Sequence, residues 1–142
     1  MIREYRKGDE TAIATLEKEC FSEPWSREAI INSANEGILF FVYECENKIV
    51  GYVGLQTVLD EGYITNIAVT SSRRKQGIGK ALLENLDNVA DSLSLSFISL
   101  EVRQSNSSAI NLYTKMGYSV DGIRPNFYEN PRENAIIMTK RR

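Results

Sequence analysis

Two adjoining segments decide the fold: Tyr63-Ile64-Thr65-Asn66-Ile67-Ala68-Val69 and Arg73-Arg74-Lys75-Gln76-Gly77-Ile78-Gly79-Lys80-Ala81-Leu82-Leu83. The first has the composition of a buried strand, and the second indicates a polar turn followed by a helix that opens on two glycines. A helix start leaves backbone N–H groups without partners, and its dipole favours negative charge there. Gly77 and Gly79 lack a Cβ, so a ligand can approach the main chain closely. With three basic residues just before the glycines, the segment predicts an anion site suited to a pyrophosphate.

The glycine spacing differs from that of the common phosphate loops. A P-loop needs glycine five residues before Gly79 and Ser or Thr after Lys80, where this chain has Arg74 and Ala81. A dinucleotide fingerprint needs a third glycine, where this chain has Leu82. The pattern is instead R-x-x-G-x-G. The alternative interpretation is a flexible helix start beside a solvated basic turn.

Length and composition predict one domain spanning residues 1–142. Its 42% hydrophobic and 25% charged residues are ordinary for a globular protein that builds a real core. The net charge of -2 disfavours a general nucleic-acid-binding module, so no DNA partner is expected. No apolar run approaches the length of a membrane span, and the first residues are charged rather than signal-like. We therefore expect a cytoplasmic protein with no membrane partner.

The chain contains no histidine, which restricts the chemistry that it can perform. Ser-His-Asp and Cys-His catalysis are excluded, and most transition-metal sites are improbable. The two cysteines, Cys20 and Cys45, lack the spacing of a zinc site or a disulfide framework. No metal is expected, and any general base must be a carboxylate, a tyrosine, a lysine or a thiolate.

Hydrophobic periodicity predicts alternating strands and helices, with Asp9, Ser26 and Asn106 placed to cap three of the helices and Gly117 to end the last. Seven strands are expected: residues 2–5, 38–45, 49–58, a strand ending at 69, 97–102, 118–120 and 135–138. Four helices are expected: from Asp9 to Cys20, after Ser26, from Gly77 to Leu93, and from Asn106 to Met116. This order indicates an α/β (α+β) chain in which a mixed sheet carries helices on both faces.

Two side chains in the second half are candidates for catalysis. Glu101 shares a strand face with Ser99 and Arg103, so it is either a general base at a cleft, an ion-pair partner of Arg103 or part of a solvated face. Tyr113 lies on the inward side of its predicted helix, where it is either a core tyrosine or a proton donor to a leaving group. Asn106 has a structural alternative as an N-cap.

The run Leu100-Glu101-Val102-Arg103-Gln104-Ser105-Asn106-Ser107-Ser108-Ala109-Ile110-Asn111-Leu112-Tyr113 resembles the L-E-V-R-x-S-N-x-x-A-I-x-L-Y signature of the RimI family, and R-x-x-G-x-G is similar to the acetyl-CoA loop of the wider GNAT superfamily of N-acetyltransferases. The likeness extends over residues 1 to 139. RimI enzymes acetylate the N-terminal alanine of a small-subunit ribosomal protein. The resemblance implies the GNAT fold, a mostly antiparallel twisted sheet of about seven strands, and acetyl-CoA as co-substrate.

Position by position, the resemblance makes Glu101 the general base and Tyr113 the general acid. It also implies the residues that bind acetyl-CoA. The strand Ile67, Ala68 and Val69 would pair with the pantetheine arm, and Asn106 would lie near the arm. The pyrophosphate loop would consist of Arg74, Lys75, Gln76, Gly77, Ile78, Gly79 and Lys80.

Two departures fall near the acceptor pocket of the family. RimI sequences often show R-x-N-Y-Y and E-D-A-I-I-M, where this chain has Phe127 and Asn134 at the variable positions. Phe127, Tyr128 and Trp25 are expected to form apolar walls of an acceptor slot with Glu101 at its base. The departures bear on the choice of acceptor rather than on acetyl-CoA.

The ionisation of amines favours an N-terminal acceptor. An α-amino group has a pKa near ~8 against ~10.4 for lysine, so far more of it is neutral at pH 7 and a single carboxylate suffices as base. The expected partner is a basic ribosomal-protein N-terminus. The alternatives are an acetyltransferase of a small amine, antibiotic or lysine side chain, and a non-catalytic acyl-CoA-binding module, which would need neither Glu101 nor Tyr113.

Overall fold

The computed structural model describes residues 1–142 as seven strands and four α-helices. The strands are β1 (Ile2–Glu4), β2 (Leu39–Cys45), β3 (Lys48–Val58), β4 (Glu61–Val69), β5 (Phe97–Arg103), β6 (Ser119–Tyr128) and β7 (Glu133–Arg141). The helices are α1 (Glu10–Cys20), α2 (Arg27–Asn35), α3 (Ile78–Ser92) and α4 (Ser107–Lys115), with a 3₁₀ turn at Ser71–Arg73.

All seven strands form one sheet in the order β1-β2-β3-β4-β5-β7-β6. Every neighbouring pair is antiparallel except β4 and β5, which are parallel because α3 connects them. The prediction of a mixed, mostly antiparallel sheet of about seven strands is confirmed.

The parallel pair is joined over a short length only. Glu61, Gly62 and Tyr63 of β4 pair with Phe97, Ile98 and Ser99 of β5, and no pairing continues beyond them. Residues 64–69 and residues 100–103 therefore diverge and open a space in the middle of the sheet, called the gap below. A register shift opposite Gly54 and Leu55 places a bulge in β4 where the divergence begins.

Helices cover both faces of the sheet, as predicted, and each face has its own core. α1 and α2 pack on one face around Ile13, Ile30 and Tyr52. α3 and α4 pack on the other around Leu82, Leu86, Ile98, Leu100, Val102 and Tyr113. Because side chains alternate along a strand, residues next to the buried Leu100 and Val102 in β5 point to the α1–α2 face.

The capping predictions have a mixed outcome. Ser26 and Asn106 accept hydrogen bonds from the N–H groups of Ala29 (3.1 Å) and Ala109 (3.2 Å), as expected for N-caps. The Asp9 carboxylate does not cap α1, because it instead binds the Arg3 guanidinium at 2.8 and 3.0 Å.

The strand bounds near the C-terminus were predicted too short. β6 extends to Tyr128 and β7 extends over Glu133–Arg141, where their sequence patterns indicated three- and four-residue strands. β6 is exposed along most of its length, so it lacks the buried apolar alternation that marks a strand.

Candidate active site

The gap exposes main-chain groups of β4 that no strand uses. The Thr70 N–H donates to the Val50 carbonyl at 2.8 Å. Thr70 and, two residues earlier, Ala68 therefore direct their peptide groups toward β3. Since peptide groups alternate between the two sides of an antiparallel strand, those of Ile67 and Val69 point away from β3 and into the gap. The two residues predicted to bind a pantetheine arm thus present the polar edge that such an arm requires, and Ala68 between them is buried and pairs with β3.

The loop after β4 leads into an uncapped helix start. Gly77 occupies the N-cap of α3 with φ of +82°, in the left-handed region that glycine adopts without strain, and no side chain caps the helix. The N–H groups of the first turn of α3, which begins at Ile78, are therefore available to a ligand. A Cβ added at Gly77 would meet nothing within 4 Å, whereas one at Gly79 would lie 3.1 Å from Leu112. Gly77 faces open space, and Gly79 permits α3 to approach α4.

The basic residues of the loop divide into two groups. The Arg74 guanidinium turns back along the chain, donating from Nε to the Val69 carbonyl at 3.2 Å and from Nη2 to Cys20 Sγ at 3.5 Å. Arg73 lies 3.7 Å from the Glu46 carboxylate. Lys75, which with Gln76 lies exposed on the loop, and Lys80 on the first turn of α3 make no ion pair. In this structure Arg74 holds the loop to β4, and the two lysines carry the free charge.

Glu101 lies on the α1–α2 face of β5, between the buried Leu100 and Val102. Its carboxylate does not pair with Arg103, the partner that the sequence offered as an alternative. It lies 3.3 Å from Nε of Arg124, and both side chains are partly exposed, Glu101 by 34% and Arg124 by 58%. The carboxylate is therefore reachable from solvent and held by one exposed cation.

Tyr113 lies on the opposite face of the sheet, within the core that α3 and α4 build. No protein group hydrogen-bonds its hydroxyl, and burial raises its pKa well above the usual value of 10, with the nearby Tyr128 adding to the effect. A tyrosine in this environment keeps its proton at neutral pH and can give it to an incoming anion.

Glu101 and Tyr113 therefore lie on opposite faces of the sheet. A ligand that threads the gap along β4 would have the face that carries Glu101 on one side and the face that carries Tyr113 on the other. Asn106, which follows β5 and caps α4, uses its side-chain oxygen for the cap and leaves its amide N–H₂ free. The arrangement can support proton removal and proton return at two ends of one reacting group.

Of the three residues predicted to wall an acceptor slot, Tyr128 and Phe127 lie on the Glu101 side of the β6–β7 hairpin, and Trp25 packs against β2. Tyr128 is half-buried, and burial together with the charge of Glu101 raises its pKa to about 12. Phe127 packs edge-on against Tyr128 with ring centroids 5.0 Å apart. Trp25, on the loop between α1 and α2, packs edge-on against Phe40 with ring centroids 6.5 Å apart. The predicted walls of the slot therefore belong to the α1–α2 loop and to the β6–β7 hairpin.

Residues 10–118 match the sequence profile of the acetyltransferase (GNAT) family, and this match covers more than half of the chain. The chain belongs to the GNAT acetyltransferase family. It is accordingly an N-acetyltransferase, and its seven-stranded, mostly antiparallel sheet with four helices is the fold of this family.

Curated relatives agree with the family assignment over nearly their whole length. The ribosomal protein bS18-alanine N-acetyltransferase of Haemophilus ducreyi is 35% identical over 97% of this chain and 97% of its own. The enzyme of the same name from Escherichia coli is 37% identical over 87% of this chain and 84% of its own. The crystal structure of the Escherichia coli ribosomal-protein-S18-alanine N-acetyltransferase superposes with a TM-score of 0.92 at 34% identity, covering 99% of this chain and 92% of that chain. The resemblance to RimI enzymes is thereby confirmed.

One buried carboxylate close to β4, that of Glu17, was not predicted from the sequence. Glu17 is fully buried and accepts from the Tyr52 hydroxyl (2.6 Å), the Trp25 N–H (2.8 Å) and the Asn66 amide (2.9 Å). It thereby ties the α1–α2 loop to β4. The signal available was a carboxylate at an inward position of an amphipathic helix, beside the apolar Ile13 and Leu16.

A separate groove of about 710 Å³ lies between α1 and the β2–β3 hairpin, and none of the predicted catalytic or cofactor residues lines it. None of the helices is long and apolar enough to span a membrane. Nowhere do three or more His, Cys, Asp or Glu side chains cluster as metal ligands would.

Proposed function

We propose that the chain binds acetyl-CoA in the gap, with the pyrophosphate at the first turn of α3 and the pantetheine arm along β4. The residues fit such a ligand in three ways. The uncapped helix start supplies N–H donors and a positive dipole end. Lys75 and Lys80 supply unpaired charge, and the space in front of Gly77 is open. The N–H groups of Ile67 and Val69 and the carbonyl of Ile67 match the amides of the arm, whereas the Val69 carbonyl already accepts from Arg74.

We further propose that the acceptor is the α-amine of a protein N-terminus, and most specifically the N-terminal alanine of a small-subunit ribosomal protein. The observation that carries this proposal is the match to relatives named ribosomal protein bS18-alanine N-acetyltransferase, at 35% and 37% identity over most of each chain. The partly exposed Glu101 carboxylate supports it, because roughly a tenth of an α-amine is neutral at pH 7, far more than of a lysine amine, so a single carboxylate is the more plausible base for it. The net charge of -2 suits a basic peptide.

The proposed reaction is one direct transfer. The neutral amine attacks the thioester carbonyl carbon, the new C–N bond forms as the C–S bond breaks, and the products are the N-acetyl amine and free CoA. Glu101 takes the amine proton, directly or through a water, and Tyr113 gives its proton to the departing thiolate. The Val69 N–H polarises the carbonyl as its oxygen gains charge. Exchange of protons with solvent then restores both side chains.

Most of the rate enhancement follows from positioning. Holding the amine and the thioester in line on opposite faces of the gap removes much of the entropic barrier. Proton removal by Glu101 adds roughly 10²–10⁴-fold.

The acceptor is tested by competition among three substrates. The first is a peptide that begins with alanine, the second is the same peptide with a blocked N-terminus and an internal lysine, and the third is a free polyamine. We expect the free-alanine peptide to be acetylated fastest, with mass spectrometry placing the acetyl group on its α-amine. Equal turnover of the blocked peptide or the polyamine would contradict the proposal and favour a lysine or small-amine acetyltransferase.

A further inference from the structure

We propose that Arg103 is a positioning residue that joins the two walls of the acceptor slot and so sets the affinity for the acceptor. The inference rests on the proposed function, since it concerns the same slot. Arg103 ends β5, two residues after Glu101 and on the same face of the strand. Unlike Glu101 and Tyr113, it need not touch either substrate.

The first wall, the β6–β7 hairpin, is bound to Arg103 by three hydrogen bonds. Nη1 donates to the Pro131 carbonyl at 2.9 Å and to Oε1 of Glu133 at 3.1 Å, and Nη2 donates to the Glu129 carbonyl at 2.9 Å. The other carboxylate oxygen of Glu133 accepts from the Ser105 N–H at 2.6 Å. One guanidinium thus fixes the tip of the hairpin to the end of β5.

Arg103 also fixes an aromatic side chain of the slot. Its guanidinium carbon lies 4.5 Å from the centre of the Tyr128 ring, within the range of a cation–π contact. Tyr128 in turn packs against Phe127 and lies close enough to Glu101 for the carboxylate to raise its pKa. Displacing the guanidinium would release a ring that lies close to the proposed general base.

The second wall, the α1–α2 loop, reaches the same guanidinium from the other side. Nη2 of Arg103 donates to Oγ of Ser22 at 3.4 Å. Three residues further on, the backbone N–H of Trp25 donates to the buried Glu17 carboxylate. The loop is thus anchored to the sheet at Trp25 and to β5 at Ser22, and Arg103 is the side chain that contacts both walls.

Only arginine has the donors for this arrangement. A guanidinium carries five N–H groups in a planar fork and stacks on aromatic rings, whereas an ammonium is a compact point charge with three donors. Lysine at position 103 would keep the positive charge beside Glu133 but could not serve two carbonyls, a carboxylate and a hydroxyl at once. The substitution Arg103→Lys therefore separates geometry from charge.

The experiment compares the wild-type chain, Arg103→Lys and the matched control Arg132→Lys by steady-state kinetics with the alanine peptide and acetyl-CoA. Arg132 lies on the same hairpin, is largely exposed and contacts only Glu129, at 3.5 Å. We expect Arg103→Lys to raise the KM for the peptide roughly tenfold to hundredfold, as misplacement of a positioning group does. The KM for acetyl-CoA and kcat should stay within about threefold, and Arg132→Lys should match the wild type.

Two results would overturn the inference. One is an unchanged KM for the peptide in Arg103→Lys. The other is a parallel change in both KM values and kcat, together with weakened acetyl-CoA binding in a thermal-shift assay, which would show general damage to the fold. A wild-type enzyme that acetylates no peptide would instead contradict the proposed function, so the two failures are distinguishable.

Discussion

The side chain of Arg124 crosses the intervening strand β7 to place its Nε 3.3 Å from Oε2 of Glu101. The ion pair therefore links the proposed base on β5 to the edge strand β6. Both side chains are partly exposed, and exposed ion pairs contribute only about 0–1 kcal/mol to stability. The pair can open at little cost, so Arg124 need not block an amine that approaches Glu101.

Replacing Arg124 tests this interpretation. Arg124→Gln should change the free energy of unfolding by less than about 1 kcal/mol, because the pair is solvated and screened. The turnover number for the alanine peptide should stay within a few-fold of the wild-type value, since the carboxylate itself remains. Urea denaturation and initial-rate kinetics measure the two quantities. A collapse of kcat comparable to that caused by loss of Glu101 would show that Arg124 takes part in the chemistry.

The assignment of the pyrophosphate to the start of α3 predicts a charge effect at Gly77. Asn and Asp have similar size and both tolerate positive φ, so Gly77→Asn and Gly77→Asp differ mainly in charge. Acetyl-CoA at ~100 times its dissociation constant should stabilise the wild type by roughly 2.7 kcal/mol. Gly77→Asn should keep part of the resulting rise in Tm, and Gly77→Asp should lose it. Equal responses of the two variants would place the phosphates elsewhere.

Replacing the buried Glu17 should lower the stability of the fold. Its carboxylate accepts from three donors, and a glutamine in its place would turn an N–H₂ toward at least one of them. Glu17→Gln should therefore lower the free energy of unfolding by about 1–3 kcal/mol. The matched control is Glu84→Gln on the exposed side of α3, which should be nearly neutral. If the two variants have the same urea midpoint, Glu17 does not hold the loop.

The buried hydroxyl of Tyr113 should extend the pH range over which kcat stays high on the basic side. Burial raises the pKa of its hydroxyl, so the proton-donating form persists where an ordinary tyrosine would ionise, near pH ~10. The kcat of the wild type should therefore not fall between pH ~9 and ~10 through loss of this proton. Tyr113→Phe should lower kcat at every pH and leave acetyl-CoA binding near normal. A Tyr113→Phe variant with unchanged kcat would remove Tyr113 from the mechanism.

Much of the fold followed from local patterns. The apolar runs of β3 and β5 and the helical spacing of Ile78, Leu82 and Leu86 are strong signals, because they reflect cores on both faces of one sheet. β6 was the weak point, because an exposed edge strand shows no apolar alternation.

Candidate site residues were predictable where the signal is local in the sequence. They were not predictable where the contact joins segments that are far apart in the chain. The uncapped start of α3 is local and was expected from Gly77 and Gly79. The partner of Glu101 was not, since the nearby Arg103 binds the β6–β7 hairpin while Arg124 reaches across a strand. Arg74 was expected among the phosphate ligands, but its bond to the Val69 carbonyl depends on how the loop closes. Such contacts are set by tertiary packing rather than by spacing.

The central claim is that Glu101 is the base of an acetyl transfer that takes place in the gap. The most direct measurement is the kcat of Glu101→Gln with acetyl-CoA and the free-alanine peptide, together with acetyl-CoA binding by calorimetry. Glutamine keeps the shape and loses the basicity, so kcat should fall roughly 10²–10⁴-fold while acetyl-CoA binds with wild-type affinity. A variant that retains most of its activity from pH ~6 to ~9 would show that another group removes the proton, and the account would be wrong at its centre.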